Sequence, residues 1–264
     1  MIDFNKARIA FKNYVAHYDP SQDLIRLKIV HTYAVMDLTK RLCDALHVTK
    51  KQTSLAMLIG LLHDIGRFEQ YVRYGTFVDY ESIDHAKLGC DILFQEGLIR
   101  QFVQEDDYDQ IIYDAIYEHN KFKVKEGYDE ETLFYINMIR DTDKLDNFRV
   151  KETEKVETLL RCEMKDLVLE DITPKVYDDF MAHKLIYGPD RQSHLDMWIS
   201  LAAFIYDFNF PESRDYIRKQ DYINRSFDRI HPQREEVKKR YETLRQEANR
   251  FLALSSGIQK KYKI

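Results

Sequence analysis

The sequence predicts an all-α protein, and three observations carry that expectation. Chain breakers are scarce, with 8 Gly and 5 Pro in 264 residues, a composition that favours long helices over a turn-rich sheet. Apolar residues recur at steps of three and four along most of the chain, the period of a helix with one buried face. No stretch alternates apolar and polar residues as a half-buried strand does.

The elements follow in order. MIDFNKARIAFKNYV is amphipathic and lacks the apolar run of a secretory signal. Leu24, Leu27, His31, Ala34, Val35, Leu38, Leu42 and Ala45 mark one face of a second helix, with His31 on the apolar stripe. Thr49 and Gln52 have the spacing of a capping box and open a third helix through LAMLIGLLHD. That helix is apolar nearly all round, which predicts a central position, and Gly66 is read as its C-terminal stop. Phe68 to Ile83 is rich in Tyr and reads as a loop or irregular turn, with Tyr71, Tyr74, Phe77 and Tyr80 expected to bury over the core and a lining for a nucleotide base as the alternative. A helix restarts near Asp84 and runs to Gly97, and another carries Tyr108, Ile112, Ala115 and His119. Lys121 to Asp129 is a polar loop, after which Leu133, Ile136, Ile139 and Asp143 define the face of a helix ending near Phe148.

Beyond Val150 the chain stays helical but changes character. KETEKVETLL reads as a charged helix, MWISLAAFIYDFNF as a buried one before Pro211, and Pro232 to Leu254 as a charged helix with a modest apolar stripe. No Gly/Ser/Pro linker sets this part off. The reading is a core over 18–150 and a helical C-terminal extension over 151–264 packed on it.

Charge and composition narrow the function. The net charge is −5 and the pI near 6.0, so no global basic field invites nucleic acid or an anionic membrane. Cys43, Cys90 and Cys162 are far apart and form no CxxC pair, which suits reduced thiols in the cytoplasm better than a disulfide framework. The most apolar segment, Leu55 to Leu62, is too short to span a bilayer.

The chemical anomaly is the doublet His63-Asp64 at the end of a buried helix. Burying an imidazole and a carboxylate there costs desolvation free energy unless both are paired or bound to a cation, and a divalent metal accepts both donors together. His31 lies on the inner stripe of the preceding helix. A later helix carries three acids close together, Asp141, Asp143 and Asp146, in IRDTDKLDNF. Successive helices that each point a ligand inward are the way helical bundles build metal sites.

The pattern His…His-Asp…Asp, with LLHDIGR and RDTDKLDN, resembles the HD superfamily of metal-dependent phosphohydrolases. The resemblance implies an HD-type helical bundle and makes His31, His63, Asp64 and Asp143 the metal ligands, with Asp143 preferred over Asp141 by its match to the family's acidic segment. His85 in HAKLG and His119 in AIYEHN are similar to the added histidines of members that bind two metals, for which Asp64 would be the bridging carboxylate. The chain lacks the His pair followed by Gly-Tyr-Pro of the cyclic-dinucleotide phosphodiesterases. It also lacks the nucleotidyl-transferase partner domain of alarmone synthetase-hydrolases.

The implied function is hydrolysis of a nucleotide or small phosphorylated metabolite by a metal-bound hydroxide, with one or two of Mn, Fe, Ni, Co or Zn. Asp64 and Arg67 are the expected catalytic residues. Arg67, Lys87 and Lys144 are the expected phosphate contacts, with a surface ion pair to Glu69 as the plain alternative for Arg67. Two other functions share the motif: a mixed-valent di-iron oxygenase, and a nucleotide-binding regulatory module without turnover. His17, His47, His183, His194 and His231 receive no role. The expected partner is a small phosphorylated substrate, with neither membrane nor nucleic acid, and an oligomer stays open.

Overall fold

The computed structural model describes residues 2–255, and every regular element among them is helical. The chain forms two compact units, one running through Asp143 and the other starting at Lys144. The division falls inside a helix, ahead of the boundary at 150 expected from the sequence.

The first unit contains α1 (Phe4–Val15), α2 (Asp23–Ala45), α3 (Lys50–Leu62), α4 (Ile65–Tyr74), α5 (His85–Cys90), α6 (Asp109–Glu118) and the first part of α7 (Glu130–Thr153). Its centre is α3. Leu58, Leu61 and Leu62 are wholly buried, and α1, α2 and α6 all pack on this helix, which is why its sequence is apolar nearly all round. The capping box forms as expected: Thr49 Oγ1 accepts the Gln52 N–H at 3.3 Å, and Gln52 Oε1 accepts the Thr49 N–H at 3.0 Å. Gly60 lets α2 come close, since a Cβ there would stand 3.1 Å from Thr39 Oγ1. The same hydroxyl reaches Thr142 Oγ1 of α7 at 3.1 Å. The helices that carry His31, His63 and Asp143 are thereby tied together below the site.

The structure corrects the reading of the next segment. α3 ends at Leu62 and α4 begins at Ile65, so Gly66 lies inside a helix and does not stop one. A Cβ on Gly66 would stand 2.3 Å from the His85 carbonyl oxygen and 2.6 Å from the Gly89 nitrogen. Only glycine allows α4 and α5 to meet backbone to backbone here. The segment expected to be loop from Phe68 is helical as far as Tyr74, where Gly75 adopts the left-handed conformation that closes a helix. Tyr74 and Tyr80 are 49% and 85% exposed instead of buried over the core. Leu133, expected on the inner face of α7, also lies on the outside.

The second unit holds the rest of α7, then α8 (Val156–Leu160), α9 (Met164–Leu167), α10 (Pro174–Met181), α11 (His194–Ala202), α12 (Pro211–Lys219), α13 (Tyr222–Phe227) and α14 (Glu235–Ser255). The buried segment before Pro211 is α11 followed by a 3-10 turn over Ala203–Asp207. Trp198, Phe180, Phe210 and Leu244 form part of its core. Lys151 is buried among them: its ammonium donates to the Trp198 carbonyl at 2.7 Å and lies 4.1 Å from the indole centroid. Burial, then Arg229, holds its pKa well below the usual lysine range. Among the described residues, no helix is long and apolar enough to cross a membrane.

Candidate metal centre

The helix break at His63-Asp64 builds the site. His63 caps the C-terminal end of α3 and Asp64 sits at the start of α4, so consecutive side chains leave the chain at a joint between two helices. His31 comes from α2, His85 is the first residue of α5, His119 caps the end of α6, and Asp143 comes from α7. All six sequence-predicted ligands converge. Asp64 Oδ2 lies 3.6 Å from both His31 Nε2 and His63 Nε2. Asp143 Oδ1 completes that side, at 3.1 Å from His31 Nε2 and 3.9 Å from His63 Nε2. The other oxygen of Asp64 faces the opposite pair, with Oδ1 3.3 Å from His85 Nε2 and 3.8 Å from His119 Nε2. The four histidines and Asp64 are buried, whereas the Asp143 side chain is 21% exposed and marks the open side.

Hydrogen bonding settles which imidazole nitrogens face the cluster. His63 donates its Nδ1–H to the Gly60 carbonyl at 2.9 Å, His119 to the Ile116 carbonyl at 2.6 Å, and His85 to Asp79 Oδ2 at 2.7 Å. In each ring Nε2 then carries a lone pair. His85 Nε2 and His119 Nε2 approach to 3.0 Å beside Asp64 Oδ1. His63 Nε2 is buried and has no hydrogen-bond partner. Burial pushes the His63 imidazole down to about 4 and that of His85 to about 3, so these two rings are uncharged at neutral pH. Converging imidazole lone pairs and carboxylate oxygens fit divalent metal ions, and three groups of these atoms are compact enough to hold one: His31, His63 and Asp64; His63, His119 and Asp143; and Asp64, His85 and His119.

Cations of the chain surround the same carboxylates. Burial by itself would raise the Asp64 carboxyl, but Lys28 and then His63 outweigh it and hold it well below the ordinary range. Burial likewise opposes ionisation of Asp143, and His31 overcomes it. Lys28, which sequence reasoning missed, places Nζ 2.7 Å from Asp64 Oδ2. Its signal was available, because it precedes His31 by one helical turn and shares its face. Arg67 lies with Nε 3.6 Å from Asp64 Oδ1, while its Nη1 donates to Asp79 Oδ1 at 2.9 Å and to the Phe77 carbonyl. Glu69, the alternative partner for Arg67, is taken by Tyr18 and Arg73.

The two expected lysines stand differently. Lys87 is half-exposed and pairs with Asp91 at 2.7 Å; two positions after His85 on a helix, it points to another side. Lys144 pairs with Asp207 at 2.8 Å. Arg140 on α7 secures the end of α6, donating to the carbonyls of Glu118 at 3.1 Å and Lys121 at 2.6 Å, on either side of His119. Glu118 anchors the following loop by accepting from Tyr128 Oη at 3.1 Å and the Lys125 N–H at 3.3 Å.

The helical unit gathers four histidines and two aspartates from successive helices into a cluster that could hold a metal ion. The family model of the HD domain matches residues 29–148, a span that contains all six groups. Through this stretch the chain carries an HD domain. No curated protein and no solved structure matches the chain.

Proposed function

We propose that the protein hydrolyses a phosphate ester of a nucleotide or another small phosphorylated metabolite, using two divalent transition metals that share Asp64. The observation that carries this reading is the division of one carboxylate: Oδ2 serves His31 and His63 at 3.6 Å, and Oδ1 serves His85 and His119 at 3.3 and 3.8 Å. Mixed imidazole and carboxylate donors suit Mn, Fe, Ni, Co or Zn. Metals held there would supply a water of lowered pKa and a Lewis acid for the phosphoryl oxygen.

The remaining work falls to side chains. Imidazoles that are neutral at physiological pH bind a cation without first losing a proton. Arg67 commits Nη1 to Asp79 and Phe77, and Nη2, used in none of its described hydrogen bonds, is the edge offered to a phosphate oxygen. Lys28 is the second phosphate contact, in the role expected of Lys87. Both groups already neutralise Asp64, so an arriving phosphate exchanges one anionic partner for another and keeps these cations paired. With a net charge of −5, the proposed partner is a small phosphorylated molecule and not nucleic acid, and the proposed compartment is the cytoplasm.

The test is metal analysis of freshly purified protein, followed by a screen of phosphorylated metabolites with each metal restored. Release of inorganic phosphate that persists without oxygen, and with manganese in place of iron, supports the hydrolase. Strict dependence on dioxygen, with its label in the product, transfers the site to the oxygenase reading. Nucleotide binding without turnover under every metal leaves the regulatory one.

A further inference from the structure

His63 and His119 fix their rings in the same way. Each lies at a helix end and donates Nδ1–H to the carbonyl three residues back, Gly60 at 2.9 Å and Ile116 at 2.6 Å. His85 has no such carbonyl, because it is the first residue of α5. Its Nδ1–H goes instead to Asp79 Oδ2 at 2.7 Å, a carboxylate delivered by the turn between α4 and α5. The second oxygen of Asp79 accepts from Arg67 Nη1 at 2.9 Å and from Gln70 Nε2 at 2.9 Å. One side chain therefore holds a ligand of the His85–His119 side and the arginine that stands over Asp64.

We propose that Asp79 is a positioning residue that presents His85 Nε2 to the second metal and Arg67 to the phosphate, so that metal occupancy and phosphate binding depend on the same carboxylate. Only a carboxylate does both. It accepts on each oxygen, whereas the isosteric Asn turns an N–H₂ donor toward either the His85 N–H or the Arg67 guanidinium. A partner on the far nitrogen of a ligating histidine fixes its tautomer and raises its basicity, and loss of such partners typically weakens metal binding by about 10–100-fold. Donors reach both Asp79 oxygens, although its side chain is 33% exposed.

The proposal rests on the metal-centre reading, and its test needs no turnover. Asp79→Asn, titrated with Mn(II), should keep the first metal, lose affinity for the second by about 10–100-fold, and bind inorganic phosphate more weakly in proportion. Gln70→Ala is the control, because Gln70 anchors the same turn through Asp79, Ser82 Oγ at 3.0 Å and the Ile83 carbonyl at 2.9 Å without touching His85. It should leave the second metal in place. An Asp79→Asn variant that binds the second Mn(II) within twofold of the native protein overturns the proposal, as does a Gln70→Ala variant that loses it equally. If Asp79→Asn does not fold, nitrogen-15 NMR of the metal-stripped native chain decides: His85 protonated on Nδ1 supports the proposal, and on Nε2 it overturns it. Failure of the hydrolase reading would show separately, as native protein that takes up both metals but releases phosphate from no ester.

Discussion

Asp64 is 2% exposed and meets Lys28, Arg67 and four imidazoles, an arrangement that a buried carboxylate tolerates only with cations facing it. Its two oxygens make a quantitative claim. Asp64→Ala should lose both metals while helical content by circular dichroism is retained; full metal content in that variant would remove Asp64 from the centre. His119→Ala should lower the stoichiometry from about two metals to about one, read by elemental analysis after reconstitution with manganese. Lys28→Met probes the other side of the carboxylate. It should keep its metals but weaken substrate handling by roughly 1–3 kcal/mol, the range of a charge-assisted hydrogen bond. Unchanged kcat/KM would return Lys28 to the role of a structural partner. The doublet and the inward histidines were legible in the sequence because a polar residue on an apolar helical stripe breaks a regular pattern. Asp79 was not, because a turn follows no period and only the folded chain brings it to His85.

At the scale of elements, the contact between α4 and α5 decides whether the second half of the centre exists. Gly66 and Gly89 let the two backbones touch, and His85 opens α5 just where they do. Gly66→Ala forces a Cβ into the His85 carbonyl, which is backbone and cannot rotate away. We expect a loss of at least about 1–3 kcal/mol, as for overpacked cores, measured by denaturant titration, together with loss of the second metal. A variant of native stability that holds two metals would show that α5 shifts without consequence. Helices α2 and α6 announced themselves through apolar residues at steps of three and four, and α3 through its capping box and continuous apolar run. α4 did not, because Gly66 reads as a helix stop in the sequence, whereas in the structure it lies inside the helix at the contact with α5. The aromatic run after it looked like core material but is exposed in part, because aromatic content alone does not say which way a short helix faces.

For the molecule as a whole, the buried imidazoles set the response to acid. His63 and His85 are lowered from 6.5 to about 4 and about 3, so the unfolded chain takes up these protons before the folded one does. Their contribution to stability is complete above pH 6.5 and is lost as the pH falls toward the folded values. For His63 alone this amounts to about 3 kcal/mol. The metal-stripped protein should show a Tm that falls steadily from pH 6.5 to 4, and a flat Tm over that window would contradict neutral imidazoles in the centre. The six ligands also have an order in time. His31 is synthesised first and Asp143 last, and at ordinary elongation rates the interval is on the order of ten seconds. A nascent chain without α7 lacks Asp143 and also Arg140, the side chain that fastens the end of α6 beside His119. The finished geometry thus waits on the ribosome until α7 has emerged, and a messenger truncated before that codon yields a centre that lacks Asp143 and the Arg140 clamp beside His119.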